Sequence, residues 1–303
     1  MTGLTWAELV RTTAAGLTGG GGDQVEVEAR WLVERASGLD AAEVAGVADQ
    51  PPTRRAVAEV AAMVQRRVAG EPLQYVLGVW AFRELDLLVD RRVLIPRPET
   101  EVVAEIAIET AVRLGARRAH PDPWAGGATR YAVADLGTGS GALALALAGA
   151  LADAEVWATD ASDGALAVAR ANFAGAGLPA TRIRVASGSW FEALPETLRG
   201  ALHLIVTNPP YVSEAEYAAL PDVVAGWEPR RALVSGPTGR EAIDHIVSHA
   251  PEWLEPGGAL VCEMAPHQIG ASTELAERSG FIDIETMRDL AGRERVIVAR
   301  WTG

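Results

Sequence analysis

The 303-residue chain contains one cysteine and no lysine. A single thiol excludes a disulfide scaffold, and Cys262 lies in the apolar run Ala259-Leu260-Val261-Cys262, where it reads as a small buried hydrophobe. A reducing, cytoplasmic setting fits. All 27 basic residues are arginine, which together with abundant Ala and Gly reads as compositional bias and not as a binding device. They are outnumbered by 40 acidic residues, giving a net charge of −13. Phosphate backbones repel such a chain unless its arginines cluster, so direct nucleic-acid binding is not expected and a protein with a basic surface suits it better. Long apolar runs are also lacking. The longest, Ala142 to Ala152, is too short to cross a bilayer and reads as a buried helix, so no membrane association is expected. Glu8 and Arg11 interrupt the first twenty residues, which do not read as a secretory signal. The run Gly19 to Gly22 has no following Lys-Ser or Lys-Thr, which excludes a P-loop and leaves a connector.

What is present is a soluble globular composition, 49% hydrophobic, long enough for about two domains at roughly 150 residues each. Up to about Gly70 the periodicity is helical: Trp6, Leu9 and Val10 share a face, then Val25 to Ala36 around Trp31 and Leu32, then Thr53 to Val68. Asp23 and Thr53 stand in N-cap position for the last two. Strand-like pieces follow at Tyr75 to Val79 and Leu85 to Leu88, with Val93-Leu94-Ile95 after Arg91-Arg92, and suggest a linking hairpin. Pro98 sits at a favourable first position for a helix reaching Leu114, and Gly115 to Arg130 reads as a loop. From Tyr131 strands and helices alternate, which predicts an α/β fold with a mostly parallel sheet. The last two strands, separated by Asp289 to Arg293, predict an antiparallel hairpin.

Three motifs carry chemistry. The stretch Asp135-Leu136-Gly137-Thr138-Gly139-Ser140-Gly141 joins a strand to a helix, with glycines that let a ligand approach the backbone. Such a turn can serve NAD, FAD or S-adenosylmethionine, or be only a tight connection. Asp135 would repel a pyrophosphate but suits a cofactor bearing an ammonium and a sulfonium, which favours S-adenosylmethionine. Asp160 ends the next strand, placed to accept ribose hydroxyls, while Ser162 and Asp163 are better placed to cap the following helix. The third motif, Asn208-Pro209-Pro210-Tyr211, follows the strand Leu202 to Thr207. Two prolines fix both φ angles and remove two donors, so that the Pro209 carbonyl and the Asn208 side chain can grip an NH₂ group beside the flat face of Tyr211. Together with the glycine loop this points to amino-group methylation. His245 and His249 lack the glutamate of a His-Glu-x-x-His motif, and no metal site is expected there. Glu228 and Arg230 suit substrate contact and a structural ion pair equally.

The chain resembles the release factor glutamine methyltransferases (the PrmC/HemK family). The matching segments are Gly70 to Tyr75, Leu94 to Glu101, the glycine loop, Asn208 to Tyr211, Trp227 to Arg230 with Ala232-Leu233, Pro256 to Gly258 and Asp289 to Arg293. Ile95 to Glu101 discriminates best. The resemblance implies a Rossmann-like S-adenosylmethionine-dependent methyltransferase fold, 96–303, ending in an antiparallel hairpin. It is preceded by a helical substrate-docking domain, 1–72, and a linking hairpin, 73–95. It implies that Asp135, Gly137, Thr138, Gly139, Ser140, Gly141 and Asp160 hold the cofactor, that Trp190 packs near its adenine, and that Asn208 touches cofactor and substrate while Pro209, Pro210 and Tyr211 complete the glutamine pocket. The implied reaction methylates the side-chain nitrogen of the Gly-Gly-Gln glutamine in class I peptide chain release factors, by a monomeric enzyme. Ser189 replaces an Asp usual in relatives, leaving an acidic contact to the adenine amine unassured, and Glu263-Met264-Ala265 replaces Glu-Ile-Gly. The rival readings are a ribosomal protein glutamine methyltransferase, a DNA amino-methyltransferase acting on a flipped base, and a non-catalytic adaptor that kept the fold.

Overall fold

A computed structural model describes residues 4–17, 23–116 and 131–303. The glycine run at 19–22 and most of the expected loop up to Arg130 lie outside the described residues, as does the side chain of Asp23. Along the chain come helices α1 (Trp6–Gly16), α2 (Asp23–Ser37), α3 (Ala41–Gly46), α4 (Arg54–Val68) and α5 (Leu73–Leu77), then strands β1 (Val79–Phe82) and β2 (Leu85–Leu88) and helix α6 (Pro98–Arg113). The alternating part comprises β3 (Tyr131–Leu136), α7 (Ala142–Ala150), β4 (Ala154–Asp160), α8 (Asp163–Gly175), β5 (Ile183–Ser187) and β6 (Leu202–Thr207). After it come β7 (Val212–Ser213), α9 (Glu214–Tyr217), α10 (Asp222–Ala225), α11 (Arg230–Leu233), β8 (Val234–Gly236), α12 (Glu241–Trp253), β9 (Leu254–Glu263), α13 (Ile269–Arg278), β10 (Ile282–Arg288) and β11 (Glu294–Arg300). Two compact units result, one drawn from Met1–Val79 with Pro221–Trp227, the other from Trp80–Leu220 with Glu228–Gly303. The return of Pro221–Trp227 to the first unit has no signature in the hydropathy pattern.

In the first unit, Thr5 and Glu8 form a reciprocal capping box at α1, and the Thr53 hydroxyl accepts from the Ala56 amide at the start of α4. Leu17, Ala29, Leu32, Met63, Leu73 and Val76 pack as one apolar cluster, and Trp6, Leu9, Val33, Ala56 and Val60 as another. The expected strand from Tyr75 is corrected here: Leu73–Leu77 is helical. Pro72 opens the turn, Gly78 closes it at φ 71°, and the strand begins only at Val79. An isolated turn leaves its last carbonyls unpaired. Arg66 resolves this by donating to the Tyr75 and Val76 carbonyls at 2.8 and 3.2 Å while Glu71 holds its guanidinium from the other side. Apolar alternation over five residues could not distinguish this turn from a strand.

The second unit is built on a seven-stranded sheet of order β10-β11-β9-β6-β3-β4-β5, parallel except for the β10-β11 hairpin and the β11-β9 pairing. The expected α/β fold with its terminal antiparallel hairpin is thus realised. Successive residues of the central strands enter different cores: Val133, Leu204, Val206 and Val261 pack with α6 and α7, whereas Ala134, Leu136, Ile205, Leu260 and Cys262 pack with α12 and α13. Burial on both faces explains why these strands read as continuous apolar runs. Cys262 is fully buried, and burial pushes its thiol pKa up, against reactivity. Val93-Leu94-Ile95 forms no strand but a loop with Val93 and Ile95 buried. The sequence runs from β3 outward to β4 and β5, then returns to β6 on the other flank of β3. This reversal opens a crevice at the carboxyl ends of β3, β4 and β6, where all three chemical motifs lie.

Candidate active site

A cleft of about 190 Å³ occupies that crevice, entirely within the second unit. Its wall includes Gly137, Thr138, Gly139 and Ser140 after β3, Asp160 after β4, Trp190, and Asn208 and Pro210 after β6. Residues separated by some seventy positions are gathered because parallel strands end at one edge. Gly137 and Gly139 have φ of 76° and 55°, values that favour glycine, and a side chain on Gly139 would meet no protein atom within 4 Å. Asp160 accepts from the Gly139 amide at 3.0 Å and the Ser162 amide at 2.8 Å, so its carboxylate both shapes the loop and borders the cleft. Burial raises its pKa. Ser162, as expected, caps α8, accepting from Ala165.

Four of the anticipated site residues do not line this cleft. Asp135 is wholly buried behind the loop: Oδ2 accepts from the Thr138 hydroxyl at 2.6 Å and the Ala144 amide at 3.1 Å, while Oδ1 has no hydrogen-bond partner. Its carboxylate ties the glycine loop to α7, and burial lifts its pKa to about 7. Gly141 also lies behind the wall. A Cβ there would stand 2.4 Å from Phe173 Cε1, so α8 packing, not a ligand, demands glycine. Pro209 is buried, and Tyr211 is held by its carbonyl, which accepts from Gln268 Nε2 at 2.9 Å. Desolvation pushes the Tyr211 phenol up to about 12.

The structure adds residues that motif reading missed. Arg92, Val93, Leu94, Pro96, Arg97 and Thr100 line the cleft from the segment entering α6, and Pro229, Arg231 and Ala232 from the segment around α11. Glu228 has its side chain 1% exposed, accepts from the Ile95 amide at 3.3 Å and pairs with Arg97. Its role is structural. Arg230 instead pairs with exposed Glu214. Asn208 Nδ2 donates to Thr100 Oγ1 at 3.0 Å, and that hydroxyl donates to Glu263 Oε2 at 2.9 Å. Among the described residues no cluster of three or more His, Cys, Asp or Glu could hold a metal, and no helix is long and apolar enough to cross a membrane.

Two family models match the chain: one described as PrmC N-terminal domain over residues 8–78, the other as Methyltransferase small domain over 126–226. A release factor glutamine methyltransferase of Geobacter sulfurreducens is 38% identical over 280 residues, spanning 92% of this chain and 91% of its own length. One of Gloeobacter violaceus is 39% identical over 279 residues, spanning 91% and 90%. The chain belongs to the release factor glutamine methyltransferase family. Its Rossmann-like sheet is a methyltransferase fold: the hMettl16 catalytic domain, solved with a MAT2A 3′UTR hairpin, superposes with TM-score 0.51 at 14% identity, covering 82% of this chain and 81% of that one. That likeness concerns the fold alone. The family stretch from Leu94 to Glu101 is the one that supplies Leu94, Pro96, Arg97 and Thr100 to the cleft.

Proposed function

We propose that this methyltransferase transfers the methyl group of S-adenosylmethionine to the side-chain nitrogen of the glutamine in the Gly-Gly-Gln motif of class I peptide chain release factors. The observation that carries the reading is the meeting, in one cleft, of an open glycine loop, an acidic strand end and Asn208. The lining suits the cofactor. Gly139 leaves room for a ligand against the backbone, Asp160 retains acceptor capacity for hydroxyls beyond its two backbone bonds, and Trp190 offers an aromatic wall beside Gly137. Ser189 also lines the cleft, so the position that is acidic in many relatives offers a hydroxyl here. S-adenosylmethionine, when bound, supplies an electrophilic methyl on a sulfonium.

The chain's own contribution is orientation. An amide nitrogen is a weak nucleophile because its lone pair is delocalised into the carbonyl, so positioning it in line is the main lever. The Asn208 side-chain oxygen accepts an amide hydrogen of the substrate, and the Pro209 carbonyl accepts the other. Both contacts strengthen as the nitrogen gains positive charge, and one of the two amide hydrogens is lost to solvent as a proton once the methyl is in place, leaving the neutral N-methyl amide. Pro210 borders the glutamine, with Tyr211 behind it, and the first unit docks the body of the release factor.

The test is to incubate the protein with a release factor and methyl-labelled cofactor and to locate the label by mass spectrometry. A single methyl on the Gly-Gly-Gln glutamine is expected. Label confined to a ribosomal protein or to DNA, or no label on any substrate, overturns the reading.

A further inference from the structure

Asn208 can serve an NH₂ donor only if its amide presents oxygen, not nitrogen, to the guest. The two ends of an asparagine amide are nearly isosteric, so the choice is made by whatever holds the other end. Here that group is Thr100, the third residue of α6, whose Oγ1 accepts from Asn208 Nδ2 at 3.0 Å. Thr100 is itself buried and donates to Glu263 Oε2 at 2.9 Å, and Glu263 is 1% exposed. A threonine hydroxyl has one hydrogen. Once that hydrogen is given to a carboxylate, which only accepts, Oγ1 can face Asn208 only as an acceptor. Asn208 must then turn its NH₂ to Thr100, and its oxygen is left for the cleft.

The sheet register makes the relay possible. Thr207 pairs with Cys262, so Asn208 and Glu263 are the next residues of two adjacent parallel strands, and the first turn of α6 bridges them. We infer that Glu263 and Thr100 are positioning residues that set the polarity of the Asn208 amide and thereby make the site select a guest presenting NH₂. The inference rests on the proposed glutamine methylation for its purpose, but not for its geometry. With the relay removed, Asn208 can rotate its amide and present its own N–H groups to the substrate's, a contact between donors. The relay contributes to turnover through Asn208 and not to cofactor affinity, since neither Thr100 nor Glu263 needs to touch the cofactor for it to operate.

The first measurement needs no turnover. In the ¹⁵N spectrum of the intact protein, the Asn208 side-chain amide, assigned by its loss in Asn208→Ala, is expected to show one proton slowed in solvent exchange and to lose that protection in Thr100→Val. Two freely exchanging protons in the wild type overturn the relay, whatever the substrate proves to be. The second is kinetic, on a release factor with labelled cofactor. Thr100→Val is expected to lower kcat by about 10- to 100-fold, the loss seen when a hydrogen-bonding partner that orients a metal ligand is removed, with cofactor Kd unchanged and Thr100→Ser close to wild type. Adding Thr100→Val to Asn208→Ala is expected to cost nothing further. Full additivity of the two, or failure of Thr100→Ser to restore kcat, makes the threonine merely structural and overturns the inference. A wild type that methylates no release factor refutes the proposed substrate but leaves the exchange result standing.

Discussion

Glu228 and Arg97, 131 residues apart, form an ion pair in which the carboxylate is almost completely buried and the guanidinium is about one-third exposed. The same carboxylate receives the Ile95 amide. One acidic side chain therefore anchors the segment that brings Pro96, Arg97 and Thr100 to the cleft. Glu228→Ala strands a partly desolvated charge and a buried N–H, and is expected to cost about 2–4 kcal/mol of stability. Glu228→Gln retains an acceptor for Ile95 and should lose less. Denaturant titration of both variants checks the order, and equal stability of Glu228→Ala and wild type refutes the anchoring role.

The glycine loop separates ligand approach from packing. Gly139 has φ 55° and open space where a Cβ would go, whereas Gly141 has φ 86° and the Phe173 ring there. Gly139→Ala is expected to cost only about 1–2 kcal/mol of left-handed strain while weakening cofactor binding, because the methyl projects into empty space at the cleft wall. Gly141→Ala combines strain with overpacking and should cost about 2–4 kcal/mol. Calorimetric cofactor binding set beside chemical denaturation distinguishes them, and the assignment fails if Gly139→Ala binds as wild type.

Burial lifts the Glu263 carboxyl to about 7, against the donation from Thr100 and the positive charge of Arg295 and Arg97, with Glu99 raising it further. Glu263 also faces the Tyr211 phenol and adjoins Cys262. Below that value a protonated Glu263 can donate to Thr100 and reverse the relay, so kcat should rise as pH increases through about 7. Stability should move the other way. Asp135 is likewise lifted to about 7, and a raised carboxyl pKa means the folded state binds protons that the unfolded chain releases near pH 4. Unfolding free energy is therefore expected to fall as pH rises from roughly 4 to beyond 7, less steeply in Asp135→Asn. A stability profile that climbs over this window, or a flat kcat profile, contradicts these assignments.

Trp31 on α2 is 40% exposed, an unusual place for so large an apolar surface. If the first unit docks the substrate's body, Trp31→Ser should raise KM several-fold for a whole release factor and leave a short Gly-Gly-Gln peptide unaffected. Steady-state kinetics on the two substrates decide it, equal effects arguing against docking through this face.

Much of the fold was legible because each element buries a periodic face. The run from Leu202 to Thr207 predicted β6 without error, and Pro98 marked the start of α6. The helix at Leu73–Leu77 reads as a strand in the sequence because four apolar residues and Gln74, set between a proline and a glycine, fit either period. The short elements between Val212 and Gly236 passed unnoticed because two to four residues carry no periodicity. The glycine loop, Asp160 and Asn208 stand out in the sequence as motifs and Trp190 only through the family resemblance; the structure brings them to one cleft. Asp135 and Gly141 were assigned to the ligand because a motif does not reveal which of its residues face outward.

Local chemistry, written in the sequence alone, determined where strands end, which turns need glycine, that two prolines stiffen the corner after β6, and that the candidate site residues follow the ends of the parallel strands. Only the tertiary structure decided that Thr100 links Asn208 to Glu263, that Glu228 is spent on Arg97, and that Asp135 lies beneath the cleft instead of in it. Those relationships depend on strand order, register and burial, which are set by packing among residues far apart in the chain and leave no trace in the spacing of any one segment.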